Sequence, residues 1–391
     1  MRLGFVVNPV AGMGGSVGLK GTDGELLYEA LRRGARPVAP VRVERFLRGL
    51  VEKGFQGDII AANSSMGCEY LVSFSGELRY ECLSVPASGK AETTRDDTLL
   101  AVSELVKLGV DLIVFVGGDG TARDVLEGSG SRAPVLGVPS GVKMYSGVFA
   151  TSPEVAAEVV MRFAGGEAGL EYVEVTDVDE SMLKDDVLSV RVYGYAAAPI
   201  MEGYIVPSKE FASSSEEDKW GIAKYFIEEF MRDDTLYLLG PGTTTKAIAD
   251  LLGLRKTLLG VDAIYGKALA GLDLSESEVL NLIKRYERTA IVVSVVGRQG
   301  YVFGRGNQQF SAEVLRRVGR QNIYILSTTS KLSEIKYLLI DAGDPELETA
   351  LSGYWRVITG YGEETVKLVL PACCLDRYVG VKNSSHLSSP S

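Results

Sequence analysis

Residues 112–121 read LIVFVGGDGT, and this stretch decides the fold. The apolar run Leu112 to Val116 has the length and β-branched content of a strand that is buried on both faces. Glycines at 117, 118 and 120 end that run, and the segment ARDVLEG that follows has a helical pattern. A short buried strand that leads through a glycine turn into a helix is the repeating unit of a parallel sheet.

Two further runs repeat this arrangement on either side of the first. Leu3 to Val7 ends at Asn8-Pro9, and Val135 to Val138 ends at Pro139-Ser140-Gly141. The amphipathic stretch 98–108 supplies a crossover helix between strands. Because an open parallel sheet binds its ligands beyond the carboxyl ends of its strands, all three turns are candidate ligand loops.

The remainder of the chain predicts a second domain. Residues 172–207 alternate apolar and polar positions, which favours a small antiparallel section, and strand-turn-helix units resume after residue 235. The predicted fold class is therefore α/β, with an N-terminal parallel-sheet domain at residues 1–160. A second α+β domain is expected at residues 161–382, followed by a polar tail at 383–391.

Composition excludes several kinds of site. The 391 residues are 46% apolar and 24% charged, which is typical of globular proteins and, at this length, of two or three domains. The single histidine, His386, lies in the polar tail, so a Ser-His-Asp triad, a His-ligated zinc site and a histidine base are all disfavoured. Any general base should therefore be a carboxylate.

Charge and cysteine content bear on partners and location. The net charge is −10 with no basic block, which predicts neither nucleic acid nor an anionic membrane as a partner. No apolar run approaches the length of a membrane span, and the N-terminal run is too short for a signal peptide. Four cysteines without a C-x-x-C pair predict no disulfide framework. We expect a cytoplasmic protein in a reducing compartment.

The turn at 117–121 has the composition of a phosphoryl-transfer site. Gly117, Gly118 and Gly120 allow the backbone to approach a phosphate closely and to direct N–H groups at it. An aspartate in such a turn would repel phosphate unless it binds Mg²⁺ or accepts the proton of an attacking hydroxyl, and these roles make Asp119 the candidate catalytic residue. The alternative is an ordinary glycine turn in which the aspartate caps a helix.

The first loop is a second candidate phosphate cradle. It contains Asn8, Gly12 and Gly14, with Lys20 close behind. The loop is neither a Walker A motif, because Leu19 precedes the lysine, nor a dinucleotide fingerprint, because Val17 stands where the third glycine belongs.

Two loops of the second domain are candidates for binding an acceptor. In the first, Gly242, Thr243 and Thr244 precede a predicted helix, whose N-terminus could hold an anion or could simply be capped by threonine. In the second, Arg305, Asn307 and Gln308 offer a guanidinium and amides suited to phosphate, carboxylate or a base edge. Side-chain amides are rare in this chain, and Gln299 and residues 307–309 hold four of the eleven.

These motifs together resemble a known superfamily. An NPxAG turn, then strand-GGDGT-helix, then VLGVPSG is similar to the NAD kinases and the diacylglycerol and sphingosine kinases. The segments NPVAGMGGSVGLKGTDG, GPGTTT, GRGNQQ and VITGYGEE resemble the archaeal and bacterial ATP-NAD kinase-like group, which includes proteins associated with acetoin catabolism. The resemblance implies a kinase that transfers phosphate from ATP or polyphosphate, with Mg²⁺, to a hydroxyl in a cleft between two domains.

The resemblance also implies roles for individual residues. Asp119 would be the essential acid, and Asn8 and Gly12 would line the nucleotide site. Donor phosphates would be held by the rest of the turn, and a third loop would contact donor or acceptor. These residues are Gly117, Gly118, Gly120 and Thr121 in the turn and Ser140, Gly141 and Lys143 in the third loop. Relatives commonly form homo-oligomers, so a homo-oligomer is implied as well.

The chain departs from the family pattern at one place. NAD kinases and lipid kinases carry an Asn-Glu or Asn-Asp pair, whereas this chain has no such dipeptide and places Arg123-Asp124 after the turn. The 2′-hydroxyl of NAD is the leading expectation for the acceptor. Two alternatives stay open, a kinase of another small polyol, sugar or lipid head group, and a sensor that binds a nucleotide or metabolite without catalysis.

Overall fold

The computed structural model describes residues 1–19, 25–84, 93–141, 144–178, 190–201, 205, 216–296 and 299–375. It confirms the predicted fold class, with an N-terminal parallel sheet and a second domain built on a mixed sheet. The predicted tail, including His386, lies outside the described residues.

The first sheet has five strands, all parallel, in the order β3-β2-β1-β4-β5. The strands are β1 (Arg2–Val7), β2 (Asp58–Ala61), β3 (Arg79–Cys82), β4 (Leu112–Gly117) and β5 (Val135–Pro139). The three strands predicted from apolar runs are β1, β4 and β5. β1 pairs with β4 in the register Leu3 to Leu112 and with β2 in the register Arg2 to Asp58. The chain therefore runs outward from β1 in both directions, and the strand order reverses between β1 and β4.

Helices cover both faces of this sheet. The side chains of its strands point alternately into two hydrophobic cores, one on each face. On one face, Phe5 packs with Phe46 and Val155, and on the other, Phe115 packs with Val102 and Val125. The helices are α1 (Glu25–Arg32), α2 (Ala39–Glu52), α3 (Cys68–Leu71), α4 (Arg95–Lys107), α5 (Asp119–Ser129) and α6 (Pro153–Ala164). Helix α4 begins with a capping box in which Thr94 and Asp97 satisfy each other's backbone N–H groups.

A disulfide joins Cys68 to Cys82, with their Cα atoms 5.6 Å apart. It corrects the expectation that the cysteines are unpaired. The parallel pairing of β2 with β3 places Cys82 beside Ala61, and the Cys68 N–H donates to the carbonyl oxygen of Ala62 at 2.8 Å. Strand pairing therefore brings together two cysteines that the sequence separates by 14 residues.

An antiparallel hairpin follows the first sheet, as the alternation in that region predicts. Its strands are β6 (Gly169–Val178) and β7 (Val190–Ile200), which pair along their whole length. Val175 and Ala196 belong to the same core as Phe115, so the hairpin lies against the first sheet. The residue at which one domain ends and the next begins stays a prediction.

The second sheet has nine strands in the order β10-β9-β8-β11-β13-β15-β16-β14-β12. Strands β8, β11, β13 and β15 are mutually parallel neighbours, and the β15–β16 hairpin reverses the direction. Their bounds are β8 (Leu236–Leu239), β9 (Asp262–Tyr265), β10 (Ala268–Gly271), β11 (Thr289–Ser294), β12 (Tyr301–Phe303), β13 (Ile323–Leu326), β14 (Leu338–Ile340), β15 (Gly353–Gly360) and β16 (Glu363–Pro371).

Helices pack on both faces of the second sheet as well. They are α7 (Glu216–Tyr225), which continues into a π-helical turn Phe226–Phe230, α8 (Thr243–Leu251), α9 (Glu276–Arg285), α10 (Ala312–Val318), α11 (Thr329–Ser333) and α12 (Pro345–Leu351). The end of the second domain returns to the first: Leu370, Ala372 and Leu375 are buried in the core that contains Phe5. The two sheets therefore share a hydrophobic contact.

Candidate functional site

Three loops of the first domain meet where the strand order reverses. Residues 8–19 follow β1, residues 117–121 follow β4, and residues 140–146 follow β5; we refer to these segments as the loop cluster, of which residues 142 and 143 lie outside the described chain. The crevice at such a switch point is where open parallel sheets bind nucleotides and phosphates. The topology thus confirms that the sequence motifs lie at the carboxyl edge of the sheet.

Asn8 connects the first loop to the GGDGT turn. Its side-chain nitrogen donates to the hydroxyl oxygen of Thr121 at 3.0 Å, and its side-chain oxygen accepts from the N–H of Val10 at 3.2 Å. The Asn8 N–H also donates to the carbonyl oxygen of Val116. Asn8 and Thr121, both predicted to bind nucleotide or phosphate, therefore hold the two loops together.

Gly12 allows the first loop to touch the third. It has φ of +81°, and a Cβ atom there would lie 2.0 Å from the carbonyl oxygen of Ser140. The Ser140 hydroxyl donates to the carbonyl oxygen of Ala11 at 3.3 Å. Only glycine fits this backbone contact without displacing a loop. Gly14 lies buried in the same loop, where its carbonyl oxygen accepts from the Leu19 N–H.

The GGDGT glycines have different environments. The carbonyl oxygen of Gly117 accepts from the N–H groups of Ser140 and Gly141, and a Cβ at 117 would lie 2.5 Å from Thr121. Gly118 is the N-cap of α5. A Cβ at Gly120 would meet no atom within 4 Å, so the backbone there borders open space. Gly120 therefore has the room that a ligand would need.

Asp119 occupies the first turn of α5 and is almost completely buried, with 3% of its surface exposed. One carboxylate oxygen accepts from the N–H of Tyr145 at 2.6 Å. The other accepts from the N–H of Ser146 at 2.9 Å and from its hydroxyl at 2.7 Å. The carboxylate therefore fixes the third loop of the cluster, a contact that sequence reasoning missed because only the folded loop brings Ser146 to it.

Burial controls the protonation of Asp119. Removal from water disfavours the charged carboxylate and raises its pKa to about 7, although the hydrogen bonds from Ser146 and Tyr145 oppose this shift. The negative charge of Asp177 raises the pKa further. A carboxyl group that titrates near neutral pH can exchange a proton with a bound hydroxyl.

Residues 299–309 of the second domain contact the loop cluster. The side-chain nitrogen of Gln299 donates to the carbonyl oxygen of Met144 at 2.7 Å, and that of Gln308 donates to the carbonyl oxygen of Gly141 at 3.4 Å. A Cβ at Gly15 would lie 3.1 Å from Gln308. Two of the rare side-chain amides, Gln299 and Gln308, therefore join the second domain to the loop cluster.

Arg305 and Asn307 have contacts within the protein. The Nη2 atom of Arg305 donates to the carbonyl oxygens of Ala150 and Thr151 at 3.1 and 3.2 Å, and its guanidinium lies 4.2 Å from the ring centre of Tyr301. Asn307 accepts from the N–H of Gly304 and donates to the carbonyl oxygen of Val302, which shapes its own loop. Their roles in acceptor binding stay predictions.

A buried ion pair also joins the domains. Arg42 of α2 donates to the carboxylate of Asp341 at 2.6 Å, and the two side chains are 11% and 1% exposed. Burial alone would raise the pKa of Asp341, but the charges of Arg42 and Arg45 outweigh it and lower that pKa. Glu348 nearby has its pKa raised to about 7, first by burial and then by the charge of Asp341.

The GPGTTT loop lies at the carboxyl end of β8, and Thr243 begins α8. Gly242 has φ of +121°, and a Cβ there would lie 2.5 Å from the Ser294 hydroxyl at the end of β11. Thr243 is exposed, whereas Thr244 is buried. The N-terminus of α8 is therefore exposed at Thr243, whereas the next two threonines, Thr244 and Thr245, are buried.

Two of the predicted cations, Lys20 and Lys143, lie outside the described residues. Within the described ranges, no three His, Cys, Asp or Glu side chains group so that they could hold a metal ion. The loop cluster offers a single carboxylate, a donor set that suits Mg²⁺ carried mainly by substrate phosphates rather than a protein cage.

A half-buried lysine in α11, the helix that follows β13, was not among the sequence candidates. Lys331 donates to the carbonyl oxygen of Val295 at 3.1 Å, and burial lowers its pKa to about 8, with a contribution from the charge of Lys219. Its sequence signal is the polar run STTSK at residues 327–331, directly after the strand.

Within the described chain, no helix is both long and apolar enough to cross a membrane.

Comparison with known proteins follows the same division of the chain. The ATP-NAD kinase N-terminal domain matches residues 3–168, and the ATP-NAD kinase C-terminal domain matches residues 232–369. No curated protein matches at a significant level.

Solved structures give weaker likenesses. A diacylglycerol kinase from Bacillus anthracis is 18% identical with a TM-score of 0.22, covering 46% of each chain, so this chain spans less than half the length of that relative. A UDP-GlcNAc 2-epimerase from Neisseria meningitidis is 10% identical with a TM-score of 0.24, covering 89% of this chain and 79% of that one. Both TM-scores are too low for either likeness to bear on the fold or the function of this chain.

The two family matches together cover more than three quarters of the chain, one for each sheet, and both come from the same family. The chain belongs to the ATP-NAD kinase family.

Proposed function

We propose that this protein is a kinase, which transfers a phosphoryl group from ATP or polyphosphate to a hydroxyl of a small molecule bound between its two domains. The 2′-hydroxyl of NAD is the first candidate acceptor. The observation that carries the proposal is the meeting of the loops after β1 and β4 at the switch point, with Asp119 beneath them and Gln299 and Gln308 of the second domain beside them.

The donor would lie against the loop cluster. Backbone N–H groups and the N-terminus of α5 favour phosphate oxygens, and the open space at Gly120 allows close approach. Mg²⁺ bound to those phosphates would neutralise their charge. Phosphoryl transfer depends mainly on positioning and charge, which agrees with a chain whose one histidine lies in the tail.

Asp119 is proposed as the base. The acceptor oxygen forms a bond to the γ-phosphorus while the bond from phosphorus to the ADP oxygen breaks, and the hydroxyl proton passes to the Asp119 carboxylate and then to solvent. A pKa of about 7 makes the carboxylate available at neutral pH and still able to take a proton. The contacts with Tyr145 and Ser146 must open for this transfer, because they occupy both carboxylate oxygens.

One observation favours another acceptor over NAD. The chain lacks the Asn-Glu or Asn-Asp pair of its relatives, and Arg123 and Asp124, which follow the GGDGT turn, are both engaged in ion pairs. Arg123 donates to Asp177 at 3.2 Å, and Asp124 accepts from Arg95 at 3.1 Å. A polyol, sugar or lipid head group would need no nucleoside contact at these positions. Binding without catalysis is the remaining alternative.

The test is product analysis with a panel of acceptors. Purified protein is incubated with Mg²⁺ and either ATP or polyphosphate, together with NAD, inositol, sugars and diols, and phosphorylated products are identified by mass spectrometry. The proposal expects one acceptor to gain a phosphoryl group, and Asp119→Asn to lose that activity. Asp96→Asn is the matched control, since its side chain is 91% exposed. Binding of nucleotide with no product from any acceptor contradicts the proposal.

A further inference from the structure

The second domain contains a cavity away from the loop cluster. Its volume is about 620 Å³, and we call it the basic cleft. It is lined by Thr235 and Tyr237 near the amino end of β8, by Thr289 and Ala290 at the amino end of β11, and by residues of α9, α10 and the π-helical turn. The GPGTTT loop and Ser294 lie at the opposite ends of the same two strands. The cleft is therefore separate from the proposed site of phosphoryl transfer.

The charge of the cleft differs from that of the whole chain. Four basic side chains line it, Arg232, Lys284, Arg288 and Arg317, against two acidic ones, Glu229 and Glu287. The chain as a whole carries a net charge of −10. Among the side chains that line the cleft, cations outnumber carboxylates, which favours the approach of an anion.

Two of the four cations already have a carboxylate partner. Arg288 pairs with Asp234 at 2.8 Å, and Arg317 pairs with Glu313 on its own helix. In contrast, neither Arg232 nor Lys284 forms an ion pair with a described residue, although Arg232 donates to the carbonyl oxygen of Met231. Their remaining donors are available to an anionic ligand.

The walls and floor of the cleft add recognition beyond charge. Tyr286 and Tyr324 line the wall and can pack against an organic group. At the floor lies Thr289, whose hydroxyl oxygen is itself buried.

We propose that the basic cleft binds a phosphate-bearing small molecule at a site distinct from the loop cluster. Arg232 and Lys284 would contact the phosphate oxygens, and Arg288 and Arg317 would add attraction at longer range. This inference does not depend on the identity of the acceptor, because it concerns the other end of the second sheet.

Inorganic pyrophosphate is the probe, and amide hydrogen exchange of the full chain locates its binding. Saturating pyrophosphate should slow exchange in the peptides that cover residues 283–290 and 317–324. Peptides covering residues 8–19 and 117–121 report the loop cluster separately, so failure of this proposal and failure of the proposed function are distinguishable.

The variants are matched for charge. Arg232→Ala with Lys284→Ala should weaken the protection at 283–290 so that about tenfold or more pyrophosphate is needed to restore it, because each charged hydrogen bond to phosphate is strong. Lys224→Ala with Arg285→Ala removes the same charge from the same domain outside the cleft and should leave the titration unchanged. Absence of protection at 283–290, or equal weakening by both double variants, overturns the proposal.

Discussion

The buried carboxyl of Asp119 makes a quantitative prediction for the stability of the fold. Its pKa is raised from 3.8 to about 7, mainly because burial disfavours its charge. The native state therefore holds a proton that the unfolded chain has already released. Such a group stabilises the fold at low pH, below its unfolded pKa, and that stability is lost as the pH rises through its native pKa.

The magnitude follows from the shift. Each pKa unit corresponds to about 1.4 kcal/mol, so between pH 5 and pH 8 the ionisation of Asp119 should lower the free energy of unfolding by about 2 to 3 kcal/mol. Asp119→Asn has no carboxyl group to ionise and should lack this contribution. Glu348, whose pKa is also raised to about 7, contributes equally to both proteins, so the difference between them isolates Asp119.

The assay is urea unfolding of the wild type and Asp119→Asn at several pH values from 5 to 8. The wild type should lose stability relative to the variant as the pH rises, most steeply below pH 7. A difference that stays constant over this range would refute the reasoning, because it would mean that Asp119 is already ionised in the native state at pH 5.

Three other perturbations test the loop cluster and the domain contact. Gly12→Ala should weaken nucleotide binding and destabilise the fold by more than the roughly 1 to 2 kcal/mol that a positive φ costs, because its Cβ would lie 2.0 Å from a carbonyl oxygen. The control is Gly34→Ala, where φ is +79° and no atom lies near the Cβ. Equal effects of the two substitutions in binding assays and thermal unfolding would contradict this prediction. Arg42→Ala leaves Asp341 without its 2.6 Å partner and should cost about 3 to 5 kcal/mol in urea unfolding, against little change when Arg42→Met is combined with Asp341→Leu. Asp177→Asn removes a charge that raises the pKa of the proposed base. The rate of the wild type should rise with pH up to about 7, and this pH–rate profile should move to lower pH in the variant. An unmoved midpoint would argue against base catalysis.

The sequence predicted the loop cluster because each of its parts is local. An apolar run followed by glycine shows where a buried strand ends, and parallel strands place their carboxyl ends together. The α/β class, the hairpin after residue 168 and the positions of Asn8, Gly12 and the GGDGT turn could therefore be derived before the structure was known.

The remainder depends on contacts between distant segments. Nothing near Ser146 in the sequence indicates that its hydroxyl meets Asp119, and nothing near Cys82 indicates that strand pairing brings it to Cys68. Arg305 was expected to bind an acceptor because it lies in a loop rich in amides within an amide-poor chain, and that role stays a prediction. What the sequence could not show is the contact of its Nη2 atom with two carbonyl oxygens of the first domain, which only the packing of the two sheets creates.

The most direct test of the proposed phosphoryl transfer follows the phosphoryl group itself. ATP carrying ¹⁸O in its γ-phosphate is incubated with Mg²⁺, the acceptor panel and either the wild type or Asp119→Asn, and the products are analysed by mass spectrometry. The account predicts that the wild type transfers the labelled phosphoryl group to the hydroxyl of one acceptor and that Asp119→Asn does not. Label found only in inorganic phosphate, or equal product from both proteins, would contradict it.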